Sequence, residues 1–253
     1  KLILNCTGLL TLHVAENSKN DKLWLSAAHQ LFKVHKTVAE RLLDYYELQE
    51  MKKEFHEIAD QVLNANKVGQ APYIEYIKDK IDYASDPKLY LYVWEFYTQS
   101  KKDLDGYIRL SKYWTKTQKE VFIEGQKNNV YFYAVLLHHE ERYDALLAWI
   151  ERHKGLNNYS MSGGIDFYQY VPLIGTIFPA RAYELMELYL LQDHKGMKMD
   201  RNGYARFCSN LKYFRHIKGM DMEKRAFVER LRSANRNRSA FQEELNVAIG
   251  RDL

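Results

Sequence analysis

Cysteine and proline are scarce in this chain of 253 residues, which has two of the first and four of the second. Cys6 and Cys208 are too few and too far apart to frame a disulfide-stapled fold, so a reducing, cytoplasmic setting is the default. Neither has a nearby His or Cys partner, which excludes a local zinc site. So few prolines fit long helices joined by short connections. Long apolar runs are missing as well. None approaches the roughly 20 residues that cross a bilayer, and the opening stretch 2–14 is interrupted by Asn5, Thr7 and His13. That stretch lacks the basic start and small-residue cleavage site of a signal peptide. The chain opens on Lys1 without an initiator Met, which implies a piece of a longer protein. The common catalytic signatures are absent too: there is no Gly-x-Ser-x-Gly, no P-loop and no Gly-x-Gly-x-x-Gly. No carboxylate pair has a stated reason to act as general acid and base. The expectation is a protein that is not an enzyme and needs no cofactor.

What is present points to helices. Hydrophobic residues make up 46% and charged residues 28%, the profile of a folded globular chain. Periods of three and four recur. Leu23, Leu25, Ala28 and Leu31 fit one stripe; Val38, Leu42, Tyr45 and Tyr46 another; Phe55, Ile58, Ala59 and Val62 a third; Ile74, Ile77 and Ile81 a fourth. Asp86-Pro87 places an N-cap acid before a first-turn proline. Pro72 and Pro179 likewise open apolar-periodic runs, and Pro172 marks a break inside 168–178. Turn residues cluster at 154–164, which includes the lone pair Gly163-Gly164 and reads as a loop.

Three stretches repeat loosely: 42–63, 90–110 and 130–151. Each has an aromatic-rich helix, a charged turn, then an aromatic or Leu (Phe55, Leu104, Tyr143) that opens a second apolar helix. One helix pair cannot bury both its faces, so neighbours must stack. A length of 253 residues is long for one compact core, but a stack has no such limit. The fold expected is all-α: a right-handed α-solenoid of antiparallel helix pairs, of tetratricopeptide or HEAT kind. It would be a single helical-repeat domain over 1–253, with 178–250 as its last, basic repeats.

The last third carries a more specific pattern. Pro179 and Ala182 form a Pro-x-x-Ala start, followed by Tyr183. Tyr204 and Leu211 come next, then Gly219, Phe227 and Leu231, and a close on Arg238, Ala240, Phe241, Glu244 and Leu245. This resembles the C-terminal helical region of the SWIM zinc-finger protein family, and the upstream 140–151 resembles the charged turn and Ala-rich helix of that region. The Cys-x-Cys…Cys-x-His motif that names the family is absent, so no metal ligand carries over. The resemblance implies the helical body of a larger protein, of a family linked with protein or nucleic-acid interaction.

Four constellations could carry function. His138, His139, Glu140 and Glu141 are adjacent and point apart, whereas a helical metal site needs ligands one turn apart; they read as a solvated turn. Glu47, Glu50, Glu54, Glu57 and Asp60 would share a face only on one continuous helix, and a turn near 51–53 breaks it. Twenty tyrosines and four tryptophans supply amphipathic rings for helix seams or a groove. Trp94, Tyr97, Trp114, Tyr131 and Tyr133 are the candidate groove residues for a protein or peptide partner. Charge is polarised. Residues 195–238 hold 13 Lys and Arg against 4 Asp and Glu, a local +9 that leaves −5 on the rest of a chain of net charge +4. The candidate basic surface is Lys198, Arg201, Arg206, Lys212, Arg215, Lys218, Arg232, Arg236 and Arg238, with Arg230 beside them. Interleaved Tyr204, Phe207, Tyr213 and Phe214 would suit nucleic acid if their rings face outward, and a helical core if they face inward. A scaffold for protein partners is the first reading, a nucleic-acid accessory domain the second, and an enzyme assembled from distant helices the third.

Overall fold

The computed structural model describes residues 2–153 and 167–252, with side chains for 7–152 and 167–250. The expected loop at 154–164, with its glycine pair, lies outside these residues, as does the side chain of Cys6. Among the described residues there are fifteen α-helices, two 3-10 segments and no β-strand. The chain divides into two compact units, Lys1–Lys119 and Glu120–Leu253.

The first unit contains α1 (Leu2–Asn17), α2 (Asp21–Leu31), α3 (Lys36–Leu48), α4 (Lys52–Ala65), α5 (Ala71–Ile77), α6 (Pro87–Lys101) and α7 (Leu104–Ser111). Consecutive helices pack on each other from α1 to α7, and α3 also meets α5. Their inner faces share one core that includes Leu31, Leu42, Phe55, Val62, Ile77 and Val93. The sequence stripes mostly hold: Phe55, Ile58, Ala59 and Val62 are all buried, and so are Ile74, Ile77 and Ile81. On α2 the buried positions are Ala27, Ala28 and Leu31. Leu23 and Leu25 are only half-buried, as is Trp24 between them; Trp24 and Leu25 both pack against the core.

The boundary between the units falls within α8 (Lys116–Gly125). The second unit continues with α9 (Val130–His139), α10 (Tyr143–His153), a 3-10 segment Phe167–Tyr170, α11 (Val171–Ile174) and α12 (Pro179–Gly196). It ends with α13 (Arg201–Ser209), a second 3-10 segment Asn210–His216, α14 (Asp221–Ala234) and α15 (Ser239–Asp252). Pro172 sits at the first turn of the four-residue α11, so the 168–178 run is broken where the sequence implied. At the C-terminal end the order is not simply sequential. Helix α15 returns onto α13 and Asn210–His216, and Phe241 is fully buried against Tyr204, Phe207 and His194.

One turn recurs. Lys19, Glu50, Lys102 and Glu141 have φ between 51 and 57°, and they are the non-glycine residues of positive φ among those described. They end α1, α3, α6 and α9. In each, the next amide donates back five residues: Asn20 to Ala15 (2.9 Å), Met51 to Tyr46 (2.9 Å), Asp103 to Thr98 (3.3 Å) and Arg142 to Leu137 (2.9 Å). A left-handed residue followed by that back-bond closes a helix and reverses the chain. Twice the next residue then caps the following helix: the Asn20 carboxamide accepts from Leu23 N and the Asp103 carboxylate from Gly106 N. The connections α1/α2, α3/α4, α6/α7 and α9/α10 are therefore four copies of one turn. The last three fall within the stretches 42–63, 90–110 and 130–151 that repeat in the sequence.

Candidate functional site

A recess in the first unit lies where the α1/α2 turn faces α3. It is a cavity of about 600 Å³ lined by Glu16, Trp24, Arg41, Asp44, Tyr45 and Leu48, among others. Trp24 and Tyr45 are half-buried, with ring centroids 6.2 Å apart. The Arg41 guanidinium lies 5.3 Å from the Trp24 ring centroid and donates to Glu16 at 2.5 Å. Trp24 Nε1 donates to the same carboxylate at 3.4 Å. The indole is thus held by the Glu16 carboxylate at its Nε1 and by the Arg41 guanidinium over its ring. A hydrogen bond from Arg41, opposed in part by burial, holds the Glu16 carboxyl below its ordinary range.

Asp44 closes one side and belongs to an ionic cluster. Lys80 donates to Asp44 at 2.8 Å and to Glu47 at 2.6 Å, and the Tyr76 hydroxyl also donates to Asp44. Burial alone would raise the Asp44 pKa; the bonds from Lys80 and Tyr76 outweigh it and leave the carboxyl lowered. Burial, then the Asp44 bond, pushes Tyr76 up to about 12. This cluster ties α3 to the segment after α5 and fixes the recess wall.

Of the five rings expected to line a groove, Trp94, Tyr97 and Trp114 lie in the first unit and Tyr131 and Tyr133 in the second. Trp94 and Tyr133 are buried, at 4% and 6% exposure. Arg109 stacks on Trp94 at 4.2 Å, and Tyr133 donates to Glu124 at 3.0 Å. Tyr97 and Trp114 are half-buried; Lys78 sits 5.0 Å from the Tyr97 ring and Trp114 packs edge-on to Tyr107. Tyr131 is 41% exposed and contacts Tyr170. The ring at the recess, Trp24, was missed. The signal for it was the helical spacing 24, 27, 28 and 31, which places Trp24 at the end of the α2 stripe nearest the turn.

The basic residues fall into several settings. Arg201 pairs with Glu243 at 2.6 Å and Glu244 at 3.1 Å. Arg230 pairs with Glu187 at 2.5 Å, and Arg232 lies 3.4 Å from Glu229. Arg238 donates to Asn235 at 2.8 Å. Lys212 lies over Tyr213 at 5.2 Å, and Arg215 donates to His216 at 3.3 Å. Lys218 is exposed, and Arg236 lines a shallow recess with Arg232, Ser233 and Gln242. Lys198 and Arg206 share a cavity beside α13. Of the interleaved rings, Tyr204, Phe207 and Phe214 are buried, and Tyr213 stacks on Tyr168.

His138 to Glu141 form the end of α9 and its left-handed turn, and the acidic series 47–60 is split between α3 and α4. Among the described residues no group of three or more His, Cys, Asp and Glu is placed to hold a metal ion, and no helix is long and apolar enough to cross a membrane. Cys208 is buried, which pushes its thiol up to about 12. Compared with known proteins, the chain matches no family model, no curated protein and no solved structure.

Proposed function

We propose that this protein is a non-catalytic binding module: a right-handed α-solenoid of antiparallel helix pairs that engages a protein or peptide partner through the Trp24–Tyr45 recess. The observation that carries this reading is the recess itself. Trp, Tyr and Arg are the side chains that most often anchor interfaces: the two rings offer large contact area with few rotamers to freeze, and the guanidinium offers a planar fork of donors. Here all three converge on a cavity of about 600 Å³, held by the Glu16 bonds before any partner arrives. Preorganisation of this kind reduces the ordering penalty of association. The recurring hairpin supports the repeat architecture, since identical turns on successive pairs are what a stack of like units requires. The same reading takes the chain as the helical body of a SWIM-type protein. A Cys-x-Cys…Cys-x-His segment encoded upstream of Lys1 would support that part.

The test is selection of peptides from a random display library on the wild-type protein, with counter-selection on Trp24→Ala. Binders should emerge whose affinity falls at least about tenfold, roughly 1.4 kcal/mol, in both Trp24→Ala and Arg41→Ala. The proposal fails if nothing enriches, or if the enriched peptides bind the two variants as well as the wild type.

A further inference from the structure

Helix α1 carries no Asp, Glu, Lys or Arg from residue 2 to residue 15, yet one side of it faces outward. Gly8, Leu12 and Ala15 are buried. Spaced by four and three, they form one stripe, and α2 is the helix on which α1 chiefly packs. That side is full: a Cβ added at Gly8 would lie 2.9 Å from Leu31 Cδ1. Leu10 and Val14, one turn apart, are turned away from the stripe and are 64% and 49% exposed. Leu9, between the two sides, is 43% exposed.

A helix without charge is ordinarily covered on more than one side, and α9 shows that state. It too precedes one of the four recurring turns and has no Asp, Glu, Lys or Arg from residue 130 to residue 139. Phe132, Tyr133, Ala134, Leu136 and Leu137, half of its ten residues, are buried. Helices α3 and α6 hold the same place before the turn. Each packs on its own partner and on the helix before it: α3 on α4 and α2, α6 on α7 and α5. Helix α1 has its partner α2, but among the described residues nothing covers Leu9, Leu10 and Val14.

We infer that the face of α1 bearing Leu10 and Val14 docks an apolar-faced helix of the segment encoded immediately upstream of Lys1, so that the stack continues in that direction. The α2/α3 and α5/α6 contacts are the interfaces this would repeat, each between the first helix of a pair and the helix before it. A stack that ended at α1 would need a polar outer face. Three side chains fall far short of the about 20–30 residues a side of a stable interface between separate proteins. A helix of the same polypeptide needs less, because its tether keeps it at high effective concentration. A helix lying on a lipid surface carries Lys and Arg on its polar face, and residues 2–15 have none. This docking rests on the stacked-pair part of the function proposed above and involves neither the Trp24 recess nor a zinc segment.

Thiol accessibility tests it. Leu10→Cys and Val14→Cys are made in a Cys6→Ser background, both in residues 1–253 and in the whole polypeptide that the reading frame encodes. Val34→Cys, at an exposed position between α2 and α3, is the control, and the Cys6→Ser parent is the blank. All three altered side chains are exposed, so the variants should fold. In residues 1–253 all three thiols should react readily with a maleimide. In the whole polypeptide Leu10→Cys and Val14→Cys should react at least about tenfold more slowly, since reaction then awaits local opening, and Val34→Cys should be unchanged. The inference is overturned if the two thiols react equally fast in both proteins, or if the reading frame encodes no helical segment before Lys1. It is also overturned if they become protected in residues 1–253 as concentration rises, which would make a second copy the occupant. None of these outcomes alters the peptide selection at Trp24, so the two can fail separately.

Discussion

The left-handed turns offer a direct perturbation of the hairpin geometry. An L-residue in the left-handed region is destabilised by about 1–2 kcal/mol through the clash of its Cβ with the following carbonyl. Glycine escapes that clash but loses more freedom on folding, about 0.5–1 kcal/mol. Replacing the residue by glycine should therefore stabilise each turn by about 0.5–1 kcal/mol. Glu50 and Glu141 are the clean sites. Both are exposed, at φ 56°, and neither carboxylate bonds to another described residue. Glu50→Gly reports on the first unit and Glu141→Gly on the second. In a protein of this size about 1 kcal/mol raises the melting temperature by about 2–4 °C, so thermal denaturation followed by circular dichroism resolves each. The two sites share no partner and their effects should add. Glu50→Ala and Glu141→Ala keep the Cβ and should give no gain. If the glycine variants melt lower than the alanine variants, as they would within an ordinary helix, the turns are not left-handed and the hairpin repeat is refuted.

Other consequences can be checked on the same preparations. A Cβ added at Gly106 would lie 2.2 Å from Thr98 Oγ1, an oxygen that is buried and unbonded; Gly106→Ala should destabilise by about 1–3 kcal/mol, and Thr98→Ala should restore much of the loss in chemical denaturation. Asp44 has a lowered pKa in the fold, so its stabilisation is present above the unfolded value of about 3.9 and is lost as pH falls through the folded value. The melting temperatures of wild type and Asp44→Asn should therefore differ at neutral pH and converge as pH falls through that folded value; a gap that persists in acid would show that the cluster acts by packing. In a Cys6→Ser background, the Cys208 thiol, buried and pushed up to about 12, should resist a thiol-disulfide reagent at pH 8 until the chain is unfolded; prompt reaction of the native protein would contradict its burial.

Local signals were readable where one stretch of chain settles the outcome alone. The Asp86-Pro87 start is such a case: Asp86 accepts from Leu89 N at 3.0 Å and Pro87 opens α6. So is the Phe55, Ile58, Ala59, Val62 face, because a period near 3.6 needs no partner to be recognised. The α1/α2 connection escaped because no aromatic-rich helix precedes its turn, which was the feature the other three stretches shared. Side chains whose state depends on distant helices were not readable. Trp94 looks like a groove ring until Arg109, from the partner helix of its hairpin, is found stacked on it. Arg201 looks like a free cation until α15 returns with Glu243 and Glu244.

The Trp24 recess belongs to this second kind, and that bears on what it could recognise. It draws Glu16 from α1, Trp24 from α2, and Arg41 and Tyr45 from α3, so its shape depends on the packing of three helices. On the proposed reading its specificity would rest on the fit of rings and guanidinium to one partner surface, and a substitution that loosens the packing of α1 or α2 against α3 should weaken binding even where it touches no lining residue.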